Sequence, residues 1–309
     1  MSGAYHRTCL LCSSCDIRPL GREYAHAYLV KCGACALVFC DRVPTPEELM
    51  KHYAGYPRNQ SVSPITVKRY ERLLESVELY RKLNRILDVG CGDGHFLEVA
   101  RRRGWNVFGT EFTDEAVSVC RSKRIVMHKG AIQHYNADEP FDVITSFEVL
   151  EHINDGCDHV RKIAGLIRPG GLFYFTTPNF DSLSRRCLGG RWVVIEYPEH
   201  LVYYTVPTID RLLSGAGFSR RSIETTGFSP ESFWRSRRTG TMPGHADEGL
   251  RSKIERRPYL RLARDMMNGL LKIFRAGDTL KGFYVSQSAK APPTSSYGVA
   301  RASICRGVA

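Results

Sequence analysis

The sequence predicts a doubly wound α/β fold, a mostly parallel sheet with helices on both faces, preceded by a small metal-stabilised ribbon. A buried strand, RILDVG, is followed by a glycine-rich turn and a helix, HFLEVARRRG, between residues 85 and 104. Strand–turn–helix units of this kind build parallel sheets. Two Cys-x-x-Cys pairs within the first 35 residues have the spacing of a four-thiolate zinc site.

Composition limits the class of protein. The chain has 309 residues, of which 43% are hydrophobic and 25% charged, as expected for a globular protein with one large core and a small module. No apolar run could span a bilayer and the first residues lack a signal-peptide layout, so we expect a cytoplasmic location. The formal net charge of +12 suits nucleic acid, anionic lipid or an anionic small substrate. Nucleic acid is disfavoured because no Arg-aromatic repeat of a nucleic-acid module is present.

The amino-terminal cysteines predict a zinc ribbon. Six of the eleven cysteines lie before residue 41, and in a cytosolic chain such a cluster favours metal binding over disulfides. The predicted ligands of a structural zinc ion are Cys9, Cys12, Cys32 and Cys35. Cys15 could replace Cys12, and redox-active thiols are the alternative interpretation. Between the pairs, YAHAYLV reads as a strand that enters the second pair, and the metal would supply the folding energy of so small a module.

A helix is predicted in the connector that follows the ribbon. Ser63 is placed as its N-cap and Pro64 lies in its first turn, both of which are common at helix starts. Apolar residues recur at helical spacing from Tyr70 to Tyr80. We expect this helix to link the ribbon to the main domain.

The glycine turn excludes the common phosphate-binding loops. Gly90, Gly92 and Gly94 read G-x-G-x-G, and His95 stands where the dinucleotide fingerprint has its third glycine. Asp93 lies where a pyrophosphate would sit, and no Gly-Lys-Ser/Thr follows. The sequence therefore predicts a ligand with a positive group and no phosphates.

An acid at the end of the next strand indicates that the ligand contains a ribose. Glu111 ends NVFGTE, 23 positions after Asp88, and an acid at this place can accept both hydroxyls of a ribose. A ribose with a cationic tail and no phosphate describes S-adenosylmethionine.

Five motifs in order resemble those of class I S-adenosylmethionine-dependent methyltransferases. They are LDVGCGDG, VFGTEFTDEA, FDVITSFEVLEHI, LIRPGGLFYFTTPN and YPEHLVYYT, and the resemblance covers about residues 60 to 286. It implies a seven-stranded sheet whose last strand, DTLKGFYVSQ, is antiparallel. The cysteine pairs and CALVF look like the zinc-ribbon-bearing subgroup, whose members often methylate sugars or surface-glycan precursors on carbon or oxygen.

The resemblance also implies which residues hold the cofactor. Asp88 would hold the amino group, Glu111 the ribose, and Phe112 would lie beside the adenine. The full implied set is Asp88, Gly90, Gly92, Glu111, Phe112 and Phe147. The alternatives are that the glycines serve only the turn and that Phe147 serves only the core.

Two stretches offer residues for catalysis. FEVLEHI reads as a helix with Glu148 and His152 on one face, and His152 is either a base or part of a structural pair. EYPEHLVYYT lies where acceptors usually enter, and it contains Glu199 and His200 beside several tyrosines. His200 is the candidate base for an acceptor hydroxyl or acidic C–H, and the alternative is a buried histidine that shapes the pocket. The reaction itself would be an in-line displacement at the sulfonium methyl.

The chain divides into four predicted parts. They are a zinc ribbon (1–45), a helical linker or lid (46–84), the methyltransferase domain (85–288) with a basic helical insertion (230–276), and a disordered tail (289–309). The basic amphipathic stretch 249–275 is predicted as a lid, a dimer face or a membrane-surface helix. We expect a small-molecule acceptor, such as a nucleotide-linked or lipid-linked sugar, and a homodimer. The alternative function is a nucleic-acid-binding or RNA-modifying protein that uses the ribbon and the basic surface.

Overall fold

The computed structural model describes residues 4–53, 62–228, 233, 266–267 and 269–287. The predicted tail at 289–309 lies outside the described residues, as does most of the predicted insertion at 230–276. Within the described part, each helix is too short or too polar to traverse a lipid bilayer.

The central element is a seven-stranded sheet. In chain order its strands are β4 (Arg85–Val89), β5 (Asn106–Glu111), β6 (Val126–Lys129), β7 (Phe141–Phe147), β8 (Ile167–Pro178), β10 (Phe218–Thr226) and β11 (Thr279–Ser286). The spatial order is β10-β11-β8-β7-β4-β5-β6. The strands from β4 to β8 pair in parallel, whereas β11 is antiparallel to both β8 and β10. The predicted doubly wound, mostly parallel seven-stranded fold is confirmed.

Helices cover both faces of this sheet. They are α2 (Pro64–Val77), α3 (His95–Arg102), α4 (Asp114–Ser122), α5 (Gly156–Leu166), α6 (Leu183–Leu188) and α7 (Val206–Gly215). In one core cluster Leu74 and Val77 of α2 pack with Phe96 of α3. In the other, Ile163 of α5 packs with Leu213 of α7. Because both faces of the sheet are buried, its middle strands are nearly continuous apolar runs.

Local signals set the helix boundaries. Ser63 accepts a hydrogen bond from the backbone N–H of Thr66 and caps α2 as predicted. Gly94, with φ of +72°, turns the chain into α3, and Gly104, with φ of +84°, follows the end of that helix. These left-handed conformations favour glycine because a Cβ atom would be strained there.

The amino-terminal ribbon is a second, four-stranded sheet. Its strands are β1 (Ile17–Pro19), β2 (Leu29–Cys32), β3 (Val38–Cys40) and β9 (Val202–Tyr203), in the order β1-β2-β3-β9. The fourth strand comes from the far side of the sequence, immediately after EYPEH. The ribbon is therefore built jointly with the main domain, and helix α1 (Pro46–Tyr53) follows it.

Two local predictions are wrong. Most of YAHAYLV is a 3₁₀ helix over Arg22–Ala27, and β2 begins only at Leu29. Tyr24 and Ala27 are buried, and residues three apart align on one side of a 3₁₀ helix.

FEVLEHI is not an α-helix. Strand β7 continues to Phe147, Glu148 has φ of +52°, and only Leu150–His152 form a 3₁₀ turn. The backbone N–H of Glu148 bonds to the carbonyl of Thr176 in β8. This strand-like bond prevents a helix from starting there, so Glu148 and His152 do not share a helical face.

Candidate functional site

The predicted ligand residues meet at the carboxyl edge of the parallel strands. Asp88 and Val89 end β4, Glu111 ends β5 and Phe147 ends β7, and neighbouring parallel strands bring these ends together. The backbone N–H of Gly90 bonds to Thr110, so the glycine loop folds back onto β5.

Gly90 permits a close approach at this edge. A Cβ atom at Gly90 would lie 2.7 Å from Cγ2 of Val149, and its φ is +70°. A side chain at this position would both collide with the loop that follows β7 and strain the backbone. Glycine therefore lets the two loops of the crevice lie against each other.

Asp88 is a buried acid at the base of the crevice. It is 2% exposed, and the hydroxyl of Thr145 donates to its Oδ1 at 2.7 Å. Burial raises the pKa of Asp88 to about 7, the Thr145 hydrogen bond opposes this shift, and Glu111 adds to it. A carboxylate that is costly to ionise alone is suited to a cationic ligand group.

Glu111 and Phe112 form the rim of the crevice. The carboxylate of Glu111 accepts hydrogen bonds from the backbone N–H groups of Gly92 at 3.0 Å and of Phe112 at 2.7 Å. The Phe112 side chain is 62% exposed, which leaves an aromatic face open for a flat ring. Phe147 instead packs against Tyr70, Phe96 and Tyr174.

Beside this crevice lies a cluster of two histidines and one acid: Glu151, His152 and His200, called here the His–Glu cluster. Nδ1 of His152 lies 2.8 Å from the carbonyl oxygen of Glu199, and Nδ1 of His200 lies 2.8 Å from that of Val194. A carbonyl oxygen only accepts, so both Nδ1 atoms carry the proton. In its neutral form each imidazole therefore presents the lone pair of Nε2.

The acid of the His–Glu cluster is almost completely buried. Glu151 is 1% exposed, and its Oε2 accepts from the hydroxyl of Thr177 at 2.9 Å. Its Oε1 is buried without a hydrogen-bond partner and lies 4.0 Å from Nε2 of His152. Burial and the neighbouring Glu148 carboxyl raise the pKa of Glu151 well above its usual range.

His200 is neutral at physiological pH. Burial lowers its pKa to about 4, with a further contribution from His152, and the two rings lie 4.9 Å apart. A neutral imidazole can accept a proton, but this pKa makes it a weak base for an ordinary hydroxyl. Its hydrogen bond to a backbone carbonyl also agrees with the alternative of a pocket-shaping histidine.

The carboxylate of Glu199 contacts His52 of α1. Its Oε2 lies 3.0 Å from Nε2 of His52 on α1, and Glu196 lies near the same pair. The backbone carbonyl of Glu199 contacts the cluster through the bond to His152. The structure thus brings His152 and His200 together, and the carboxylate of Glu199 contacts His52.

The four predicted zinc ligands converge. Sulfur atoms of Cys9 and Cys35 lie 3.5 Å apart and those of Cys12 and Cys32 lie 3.6 Å apart, and all four lie within 4.8 Å of one another. For tetrahedral zinc with bonds of about 2.3 Å, neighbouring sulfurs lie about 3.8 Å apart. The set fits a zinc ion, and it contains Cys12 rather than Cys15.

The ribbon also holds the loop that carries His200. Val38 and Phe39 of β3 pair with Tyr203 and Val202 of β9. In addition, the backbone N–H of Cys40 donates to the carbonyl of Leu201 at 2.8 Å. The position of the His–Glu cluster therefore depends on the folding of the ribbon.

Comparison with known proteins decides the family. A family model described as a methyltransferase domain matches residues 58–223, more than half of the chain. The chain belongs to the methyltransferase family. More specifically, it is a class I S-adenosylmethionine-dependent methyltransferase with a Rossmann-like fold.

Sequence relatives agree with this assignment, and a solved structure shares the fold. The methyltransferase is 31% identical over 160 residues to the ubiquinone biosynthesis O-methyltransferase of Aromatoleum aromaticum, covering 47% of this chain and 68% of that protein. It is 30% identical over 162 residues to the protein of that name from Aeromonas salmonicida, covering 47% and 67%. A solved S-adenosylmethionine-dependent methyltransferase from Archaeoglobus fulgidus shares the fold, with a TM-score of 0.50, 17% identity, and coverage of 77% of this chain and 97% of that one.

Sequence analysis missed two parts of the site in this methyltransferase. Glu151 lies within FEVLEHI. The predicted helix places Glu148, rather than Glu151, on the same face as His152. His52 lies on α1 and contacts Glu199, 147 residues along the chain. A local sequence pattern cannot predict this contact, because the contact depends on how the ribbon packs against the main domain.

Proposed function

We propose that this methyltransferase transfers the methyl group of S-adenosylmethionine to a hydroxyl oxygen of a small molecule bound beside the His–Glu cluster. The observation that carries this proposal is that His152 and His200 each donate Nδ1–H to a backbone carbonyl, which leaves Nε2 as the ring atom that can accept a proton. O-methylation is favoured over C-methylation because the curated relatives are named as O-methyltransferases.

The cofactor would be held by residues of the crevice. Asp88 would bind its ammonium group, Glu111 would accept the ribose hydroxyls, and Phe112 would lie against the adenine ring. Gly90 and Gly92 would let the backbone approach the methionine part of the cofactor. Phe147 would pack against that part of the cofactor. The cofactor supplies the sulfonium methyl group. A crevice with a buried acid at its base favours this cation over a dinucleotide.

The chemical step needs alignment and loss of the acceptor proton. The sulfonium charge disappears as the methyl group moves to the acceptor oxygen, so a dry, aligned site speeds the reaction. His200 is the candidate proton acceptor, and the ring of His152 lies 4.9 Å from it. Because burial keeps His200 a weak base, the acceptor hydroxyl has to be unusually acidic or made so by its surroundings.

Two acceptor classes suit this site. The names of the curated relatives favour a phenolic, quinone-type acceptor. The amino-terminal ribbon, which lies outside the matched residues 58–223, favours the sugar or glycan precursors of the ribbon-bearing subgroup. We also propose one structural zinc ion on Cys9, Cys12, Cys32 and Cys35, and the division into ribbon, linker and catalytic domain at residues 45 and 84.

Isotope transfer tests this function. A cell extract would be incubated with the enzyme and S-adenosylmethionine labelled with ¹³C in the methyl group, and products would be examined by mass spectrometry and NMR. We expect a labelled O-methyl group on a small molecule. A labelled methyl group on carbon, or label only in RNA, would contradict the proposal. The variant His200→Gln, with cofactor affinity measured in parallel, should lose turnover without losing cofactor binding.

A further inference from the structure

The His–Glu cluster has the composition and the surroundings of a metal site. We propose that Glu151, His152 and His200 bind a divalent transition-metal ion beside the methyl-donor crevice. One ligand atom from each residue lies within 4.8 Å of the other two. Two imidazoles and one carboxylate are donors that suit manganese, iron, cobalt or zinc ions.

Both imidazoles are oriented as metal ligands. In metal sites, a ligating histidine almost always donates its other ring N–H to a carbonyl or carboxylate, which fixes its tautomer. His152 and His200 each donate Nδ1–H to a backbone carbonyl at 2.8 Å. Each therefore presents an Nε2 lone pair, and neither can donate a proton to the other from that side.

The acid has one buried oxygen without a hydrogen-bond partner. Glu151 is 1% exposed, and its Oε1 is buried without a hydrogen-bond partner. Its other oxygen is fixed by the hydroxyl of Thr177. The carboxyl group of Glu148 approaches it within hydrogen-bonding reach. Lys281 lies near Glu148. A cation shared by the Glu151 carboxylate and the two imidazole lone pairs would give the unpartnered Oε1 a positive partner.

The ion would activate the acceptor hydroxyl, and to this extent the inference rests on the proposed function. Coordination stabilises the oxyanion and lowers the pKa of the bound hydroxyl. In this arrangement the ion occupies the Nε2 lone pair of His200, so the hydroxyl proton would leave to solvent rather than to His200. An oxygen lone pair would then form the new bond to the methyl carbon. The S–CH₃ bond breaks and its electron pair remains on sulfur, giving the neutral thioether of the demethylated cofactor.

A neighbouring set of donors provides the control. One ligand atom each of His52, Glu196 and Glu199 also lies within 4.8 Å of the others, but Nε2 of His52 and Oε2 of Glu199 already lie at hydrogen-bonding distance, 3.0 Å apart. That set lies on the α1 side of Glu199, and the His–Glu cluster lies on the side of His152. One substitution in each set therefore tells which of them binds the ion.

Manganese binding to the zinc-loaded, full-length protein tests the site. Mn²⁺ is followed by electron paramagnetic resonance, since it binds oxygen and nitrogen ligands and competes poorly for thiolates. We expect one Mn²⁺ per chain, and binding weakened at least about tenfold in Glu151→Gln and His200→Asn. The control Glu196→Gln should bind as the wild type does. Loss only in Glu196→Gln, unchanged binding in Glu151→Gln, or no binding by the folded wild type would overturn the proposal.

A spectroscopic measurement covers the case in which a variant fails to fold. Pulsed resonance of Mn²⁺ bound to wild-type protein with ¹⁵N-labelled histidine should show coupling to two imidazole nitrogens, and absence of nitrogen coupling would refute the site. Failure of the proposed function is distinguishable, because Mn²⁺ binding needs neither cofactor nor acceptor. If Mn²⁺ binds as expected but the labelled methyl group is found on carbon, the proposed metal site is supported and the proposed O-methylation is contradicted.

Discussion

Replacing Asp88 by asparagine should stabilise the free protein while abolishing its affinity for the cofactor. The carboxyl group is 2% exposed and accepts the Thr145 hydroxyl at 2.7 Å. Asparagine has the same shape and can keep that hydrogen bond through its Oδ1. It cannot ionise, so it avoids the unfavourable burial of a negative charge, and it cannot neutralise the cofactor's ammonium group.

The size of the effect follows from the pKa. Burial raises the pKa of Asp88 from 3.8 to about 7, so ionisation of this group in the folded protein opposes folding by about 4 kcal/mol above pH 7. The new amide N–H groups lack a known partner and would cost about 1–3 kcal/mol. The net gain in the free energy of unfolding for Asp88→Asn at about pH 8 is therefore about 1–3 kcal/mol. Each kcal/mol should raise the melting temperature by about 2–4 °C.

The sign of the pH dependence is also fixed. The folded pKa lies above the unfolded pKa, so the wild type binds an extra proton when folded and loses stability as pH rises through this window. The advantage of Asp88→Asn should grow by about 2 kcal/mol between about pH 5 and pH 7 and then level off. Taking the difference between the two proteins cancels the titration of other groups.

Thermal unfolding across this pH range and calorimetric titration with S-adenosylmethionine measure both effects. Asp142→Asn is the matched control, since Asp142 is fully buried and paired with Arg168 at 2.6 Å. Burial alone would raise its pKa, but Arg168 and backbone N–H groups lower it overall, so this variant should be destabilised by a constant amount above about pH 5. An advantage of Asp88→Asn that does not change with pH, or wild-type cofactor affinity in that variant, would refute the reasoning.

Three further predictions concern the crevice and the ribbon. Gly90→Ala should weaken S-adenosylmethionine binding about tenfold or more, because its Cβ would lie 2.7 Å from Val149 Cγ2 at φ of +70°; equal affinity in calorimetry would contradict this. Phe112→Ala should weaken cofactor binding by about 1 kcal/mol without changing the melting temperature, since the ring is 62% exposed; a stability loss would instead place the ring in the core. Metal analysis should find about one zinc per chain, and Cys32→Ser should remove it and lower turnover; a fully active, zinc-free variant would exclude the ribbon from the site.

The parts of the fold that follow from local pattern were predictable. The strand, glycine turn and helix from Arg85 to Gly104 are set by neighbouring residues, namely an apolar run, glycines with positive φ and a basic last turn. The ligand-binding edge follows from this unit, because parallel strands align their carboxyl ends.

The parts that depend on distant contacts were not predictable. Strand β9 completes the ribbon sheet by pairing with β3 more than 160 residues earlier in the chain. The periodicity of hydrophobic residues cannot predict that pairing, so the sequence indicates an independent ribbon module. The helix predicted for FEVLEHI was wrong for a related reason. Its i,i+4 pattern suits a helix, but the bond between Glu148 N–H and Thr176 extends the strand and brings Glu151, rather than Glu148, into the completely buried position.

Calorimetric titration of the purified protein with S-adenosylmethionine, its demethylated product and a nicotinamide dinucleotide tests most directly what the crevice binds. The glycine loop and the buried Asp88 predict saturable binding of the first two, weakening as pH falls below about 7 because the carboxyl becomes protonated. They predict no binding of the dinucleotide. Saturable heat from the dinucleotide, with none from S-adenosylmethionine or its product, would contradict the assignment of the crevice.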